Sequence, residues 1–384
     1  MEFYFDHATA SKPSERALSE MMPYFTEMWG SPISPHSKGQ QLFTGMEKAY
    51  RSIYQLLGAD DKDTFVFTSS GAEAINHLLF AIHEDIAMET GKNHFVTSNA
   101  ECAPAIMSIE RLEKFGCVGK VVKVQKGGLF SAEDLGDVIS PRTALVSVSW
   151  ANGLTGVIQP LDEISDLCKE RGILLHIDAT HCLGKMYFEL EDLGADFITF
   201  NGSQLQAPQG TGGLLIRGEQ RLSPFIVGGL DQGGNRAGTL NVPAFMGLSV
   251  AAEEAVEARD YMCTETARLK NQLEVGIQSA FPEAQVLFQD FERLPHITAM
   301  AFPGVANEAL MYSLNRKKVF ANIGGGEYQQ LSYLLKTAGI DAEIANTAIS
   351  FALSRETNDL EIQQAIEIIG NEANKLRKVS QLCL

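Results

Sequence analysis

Cysteine is sparse and unordered in this chain. Cys102, Cys117, Cys168, Cys182, Cys263 and Cys383 are scattered through 384 residues with no C-x-x-C pair, so their spacing defines no disulfide framework and free thiols are the default. Metal-ligand spacing is missing too. His176 and His181 fall on a strand and its following turn rather than on one helical face, with no Cys/His cluster beside them, and no metal site is expected. Basic residues are few, 31 Lys and Arg against 48 Asp and Glu, for a net charge of -17. That balance excludes phosphate-backbone binding, which needs clustered cations, and no nucleic-acid partner is expected. No stretch offers about 18 uninterrupted apolar residues, and residues 1–7 carry neither a basic nor an apolar leader region. No membrane association is expected, and the compartment expected is the cytoplasm. Internal repeats and low-complexity tracts are absent as well.

What is there is an ordinary globular composition, 45% apolar and 21% charged, in a length that points to roughly two domains. From residue 65 short apolar runs at 65–68, 94–97, 120–124, 144–148, 173–177 and 197–200 alternate with helical patterns at 72–83, 104–115 and 161–171. Alternation of this kind implies parallel pairing and an α/β layer architecture. Ser131 with Asp134 resembles a capping box, and Asn358 with Glu361 marks a second helix start. After a glycine-rich stretch at 228–238, residues 243–281 read as one long, largely helical segment. A strand at 297–302, a helix at 308–316, a strand at 348–353 and a last helix at 359–378 then form a smaller α+β block. The expected division is an N-terminal segment at 1–15 packing with the small domain, a large α/β domain at 16–255 and a small domain at 256–384.

Ligands in open α/β sheets sit beyond the carboxyl ends of the strands, and several such ends carry polar residues here. Ser70-Gly71-Ala72 follows a strand and opens a helix, so backbone N–H groups there suit a phosphate, although Ser70 also suits a plain N-cap. Asp178 ends the 173–177 strand, where a carboxylate either pairs with a cationic ring nitrogen or caps the turn. His181, three residues on, could donate to a ligand or close that turn. Cys182 beside it is either an imidazole-activated thiol or an inert core residue.

Taken in order, further motifs carry a resemblance. They are Phe5-Asp6-His7-Ala8-Thr9-Ala10, Trp29-Gly30-Ser31-Pro32-Ile33-Ser34-Pro35-His36, Asn152-Gly153-Leu154-Thr155-Gly156-Val157-Ile158-Gln159-Pro160, Asp178-Ala179-Thr180-His181 with Gly184-Lys185, and Arg236-Ala237-Gly238-Thr239-Leu240-Asn241-Val242. Along nearly its whole length the chain resembles the cysteine desulfurases of the class V aminotransferase family, pyridoxal phosphate enzymes of fold type I. The resemblance implies a large domain with a mostly parallel seven-stranded sheet between helices, a smaller α+β domain, pyridoxal phosphate as cofactor and a homodimer. By the same resemblance Ser70, Gly71, Ala72, Asn152, Asp178, His181, Asn201, Ser203 and Thr239 are the candidate cofactor-binding residues, with Thr239 acting across the dimer interface.

Departures from the family pattern fall on the chemistry. Gln204 stands where the family has its Schiff-base lysine, and an amide forms no imine and shuttles no proton as an amine does. Cys102 replaces the ring-stacking histidine, Glu327 the sulfur-carrying cysteine of a mobile loop, and Ser350 the arginine that clamps the substrate carboxylate. A carboxylate carries no persulfide, and a serine offers no guanidinium fork. Lys185 matches a second family lysine and is no substitute. The resemblance therefore implies a protein that keeps the scaffold without the desulfurase chemistry, holding pyridoxal phosphate non-covalently or not at all. Its implied partners are a desulfurase paralogue, a sulfur acceptor or an iron–sulfur scaffold protein. Alternatives are an altered reaction with His181, Cys102 or Glu327 as acid or base, and an active desulfurase if the motif register is shifted.

Overall fold

The computed structural model describes residues 2–326 and 328–382. A short first strand, β1 (Phe3–Tyr4), precedes the strands of the principal sheet, β2 (Thr64–Thr68), β3 (His94–Ser98), β4 (Val118–Val122), β5 (Thr143–Ser149), β6 (Leu174–Asp178), β7 (Phe197–Asn201) and β8 (Gly212–Ile216). Their spatial order is β2-β8-β7-β6-β5-β3-β4. β8 runs antiparallel to β2 and β7, and the other pairings are parallel. This is the expected α/β architecture with a mostly parallel seven-stranded sheet. β5 shows why: Thr143 to Val148 are buried without alternation, as in a parallel strand covered by helices on both faces.

Two strands differ from the sequence expectation. β4 lies two residues earlier than 120–124, because it is the outer strand of the sheet and Val118 to Lys120 are only half-buried, leaving no clear apolar run. β8 was not expected, since its opening Gly212-Gly213 has low strand propensity. Both glycines answer to close approach. A Cβ on Gly212 would lie 2.4 Å from the Ser70 carbonyl carbon, and one on Gly213 would lie 2.3 Å from the Phe65 ring. β8 can therefore run directly beneath the turn that opens the Gly71–Ile82 helix.

The later strands are β9 (Gln285–Val286), β10 (Ile297–Ala301), β11 (Val319–Phe320) and β12 (Ala348–Ala352). β10 pairs antiparallel with β9 and β12, while β11 pairs parallel with β1. The helices Ala267–Ala280, Asn307–Arg316 and Asp359–Leu382 supply buried residues to the core under this sheet, which includes Phe281, Phe302 and Phe351. Phe3 and Phe5 belong to that second core, whereas Ala8 belongs to the core of the principal sheet. Residues 3–8 therefore pass from one core to the other.

Both capping predictions are realised. Ser131 Oγ accepts from the Asp134 N–H while the Asp134 carboxylate accepts from the Ser131 N–H, and Asn358 and Glu361 exchange the same pair of bonds. The last helix continues to Leu382, past the expected end at 378. The segment at 243–281 is helical but not uniform. A helix at Val242–Glu257, capped by Asn241, breaks at Ala258, and the chain widens to five-residue turns over Met262–Thr266 before the Ala267–Ala280 helix. No described helix is long and apolar enough to cross a membrane.

Candidate active site

β5, β6 and β7 end in Ser149, Asp178 and Asn201, and all three line one cavity of about 500 Å³. The start of the Gly71–Ile82 helix adjoins Asn201, whose Oδ1 accepts from the Gly71 N–H at 3.2 Å, and Ser70, Gly71 and Ala72 also face the cavity. Cys102, Asn152, His181 and Gln204 complete the predicted residues that meet there. Nine residues dispersed between positions 70 and 204 are thus brought together by the strand ends, as the fold class requires.

The electrostatics are lopsided. Asp6, Glu101 and Asp178 line the cavity, with no Lys or Arg among its described lining residues. Glu101 is only 4% exposed. Burial first, with the nearby Asp178 charge adding to it, pushes its carboxyl up to about 7 despite bonds from the Ser149 N–H and hydroxyl and from the Ser98 hydroxyl. Asp178 Oδ1 accepts from the Thr180 N–H at 3.0 Å and hydroxyl at 2.6 Å, while the Cys102 thiol donates to Oδ2 at 3.6 Å. Burial, then Asp178 and Glu101, hold the Cys102 thiol well above its usual range. A thiol so placed is protonated and a poor nucleophile.

Gln204 sits on the turn after β7, 9% exposed, with every amide valence engaged. Nε2 donates to the carbonyls of Ala8 at 2.8 Å and Thr9 at 2.9 Å. Oε1 accepts from Asn201 Nδ2 at 2.7 Å and from the Ser203 hydroxyl at 2.9 Å. The side chain thus fastens the N-terminal segment to the strand-end loop. Lys185 lies on the other side of this loop, its Nζ donating to the Gln204 backbone carbonyl at 2.7 Å, and it does not line the large cavity.

Other predicted residues fall elsewhere. Ser203 is a bonding partner of Gln204 rather than a lining residue. Ser350 is 1% exposed in β12, and its hydroxyl is spent on the Leu154 carbonyl. Thr239 is exposed on the loop before the Val242–Glu257 helix and does not reach the cavity within this chain. Glu327 lies outside the described residues. Ser70 realises the N-cap expectation, its hydroxyl accepting from the Glu73 N–H at 3.2 Å, while still facing the cavity. Cys182 is wholly buried with its thiol pushed well upward by burial, the inert alternative.

Two features escaped the sequence reading. Asn322 Nδ2 donates to Asp6 Oδ1 and Thr9 Oγ1, each at 2.7 Å, joining cavity-lining residues 316 and 313 positions apart. No local pattern signals such a pair. Glu101 was legible only as the neighbour of Cys102; a carboxylate directly after a strand and its turn was the available cue.

The Aminotransferase class-V family model matches residues 3–362. The chain belongs to this family. Among its relatives, the "Cysteine desulfurase 2" of Trichormus variabilis is 33% identical over 381 residues, covering 98% of this chain and 94% of the relative. The "Cysteine desulfurase NifS" of Azotobacter vinelandii is 32% identical over 384 residues, covering 99% and 94%. A solved "NIFS-LIKE PROTEIN" superposes with a TM-score of 0.90 at 28% identity, covering 98% of this chain and all of that one. The chain is thus a cysteine desulfurase-like member of the class-V aminotransferases, a family that works with pyridoxal phosphate.

The residues of this class-V member meet that cofactor in part. Asp178 at a strand end suits a pyridinium nitrogen, whereas at the start of the Gly71–Ile82 helix, a place that suits a phosphate, the Gly71 and Glu73 N–H groups are already bonded to Asn201 and Ser70. Covalent anchorage finds no amine at position 204, because the side chain there is an amide with both ends hydrogen-bonded.

Proposed function

We propose that this protein is a non-catalytic homologue of the cysteine desulfurases that acts by binding rather than by desulfuration. The observation that carries the reading is the saturated Gln204 amide, which turns the imine-forming position into a structural tie between residues 8–9 and the loop after β7. Cys102 and Ser350 support it, one holding a high-pKa thiol against Asp178 and the other a hydroxyl committed to Leu154. Proton transfer by a positioned group contributes about 10²–10⁴-fold in an enzyme, and the lysine that would provide it is missing. The binding partners that suit the reading are a desulfurase paralogue, a sulfur acceptor or an iron–sulfur scaffold protein. Phe25, Trp29, Ile33 and Phe43 are each more than half exposed, and such apolar exposure is consistent with a two-fold homodimer that brings Thr239 to a neighbouring site. Absorbance spectra with and without added pyridoxal phosphate, followed by borohydride, test the core of the reading. No trapped adduct is expected, and no sulfide or alanine release from cysteine above a Gln204→Ala control; either signal overturns it.

A second reading is favoured by Asp178 and the 70–72 turn facing the same cavity. Here the protein retains pyridoxal phosphate or another phosphorylated ligand non-covalently and runs an altered reaction. Equal weak binding by wild type and Asp178→Ala excludes it.

A further inference from the structure

Behind the candidate active site, on the far side of His181, lies a second and much smaller cavity of about 20 Å³. It forms where three parts of the chain meet: His7 from the N-terminal segment, His181, Lys185 and Gln206 from the loops after β6 and β7, and His296 and Arg355 beside β10 and β12. Its polar groups are unfinished. Gln206 and His296 are each 3% exposed, yet both amide atoms of Gln206 and the Nδ1 of His296 lack a partner, as does the buried Nδ1 of His181. The residues that carry these atoms all line one small space, and three of the atoms, Gln206 Nε2 and the two imidazole Nδ1, can donate to an occupant, whereas Gln206 Oε1 can only accept; buried polar groups are almost always hydrogen-bonded.

The charge of the lining says which occupant. Arg355 is neutralised by Glu254 at 2.8 Å. Lys185 makes no ion pair with a described carboxylate, and its Nζ donates to the Gln204 carbonyl at 2.7 Å. Burial, with the Arg355 charge adding, draws its ammonium down to about 7, and His7 is held near 4 by burial and then Lys185. No carboxylate is among the described residues that line the space. While Lys185 is protonated, a water would satisfy an orphan donor but leave the lysine charge unmatched, and buried charges are normally paired. The volume is slightly above the roughly 10–15 Å³ that one water requires, which rules out phosphate or sulfate.

We propose that this cavity is a binding site for a single monovalent anion of halide size, held by Lys185 Nζ, Gln206 Nε2 and the Nδ1 groups of His181 and His296. The ion ties the loops after β6 and β7 to His296 just before β10 and so favours the folded chain over the unfolded one. The site is independent of whether the large cavity is catalytic.

The test compares thermal unfolding in sodium chloride and in sodium gluconate at one ionic strength. The wild-type midpoint is expected to rise by about 2 °C between low and high chloride, saturating as a binding curve does, with no rise in gluconate. Lys185→Met is expected to abolish the chloride dependence. Crystals of the wild-type protein grown in sodium bromide provide a readout that needs no variant, with an anomalous peak expected among Lys185, Gln206 and His296. A chloride response that persists in Lys185→Met, equal midpoints in the two salts, or water without an anomalous peak in this cavity would each overturn the proposal.

Discussion

The imidazole of His181 fills the space that any side chain at Gly153 would occupy, since a Cβ built on Gly153 would lie 2.3 Å from His181 Nε2. The contact explains the residue at position 153: the glycine makes room for the ring. Gly153→Ala is therefore expected to destabilise the fold by about 1–3 kcal/mol, the usual cost of overpacking. In Gly153→Ala with His181→Gly most of that loss should return. Urea unfolding of the four proteins in a double-mutant cycle measures the coupling, and additive losses would show that the two sites are not linked.

Gln204→Leu deletes four hydrogen bonds and strands the carbonyls of Ala8 and Thr9. An unsatisfied buried acceptor costs about 1–3 kcal/mol, and a total loss of about 2–4 kcal/mol is expected. Because the lost bonds hold the N-terminal segment, limited proteolysis should cleave within residues 8–14 sooner than in wild type. Unchanged cleavage there would mean that Gln204 does not tether the segment.

Asp178 and Ser70 were readable in the sequence because strand ends and helix starts have local signatures, Asn201 only through the family resemblance, and the structure brings all three to one cavity. Gly153 and His181 were readable only as members of two separate motifs, since their contact spans a loop that no period describes. β8 was lost because glycines chosen for close approach to Ser70 and Phe65 erase strand propensity. The pairing of Asn322 with Asp6 is a tertiary closure and left no trace in either segment. Legibility thus followed locality: local chemistry could be read, whereas long-range closure could not.

Cys102 and Cys182 are expected to resist alkylation in the folded protein. Both thiols are pushed well above their ordinary range by burial first and then by Asp178, and only the thiolate reacts. Peptide mapping after iodoacetamide at neutral pH should show labelling at least about tenfold slower than in urea for both. Rapid labelling of Cys102 in the native protein would favour a reactive thiol at the cavity.

Glu101 gives the protein a distinctive dependence on pH. Its carboxyl titrates near 7 when folded and has a reference value of 4.5. Between those values the folded state holds a proton that the unfolded state has released, so stability falls as pH rises through this window. Integrated over the shift, the contribution lost is about 3 kcal/mol. His176, held near 4 by burial, acts in the opposite sense, its folded form binding fewer protons below its reference value of 6.5. Glu101→Gln leaves that histidine in place and removes the carboxyl, so the difference between the two unfolding profiles isolates Glu101. Wild type is expected to lose stability relative to Glu101→Gln from pH 4.5 to 7 and to run parallel above pH 8. A flat difference over the whole range would mean that Glu101 ionises normally and that the cavity wall is open to water.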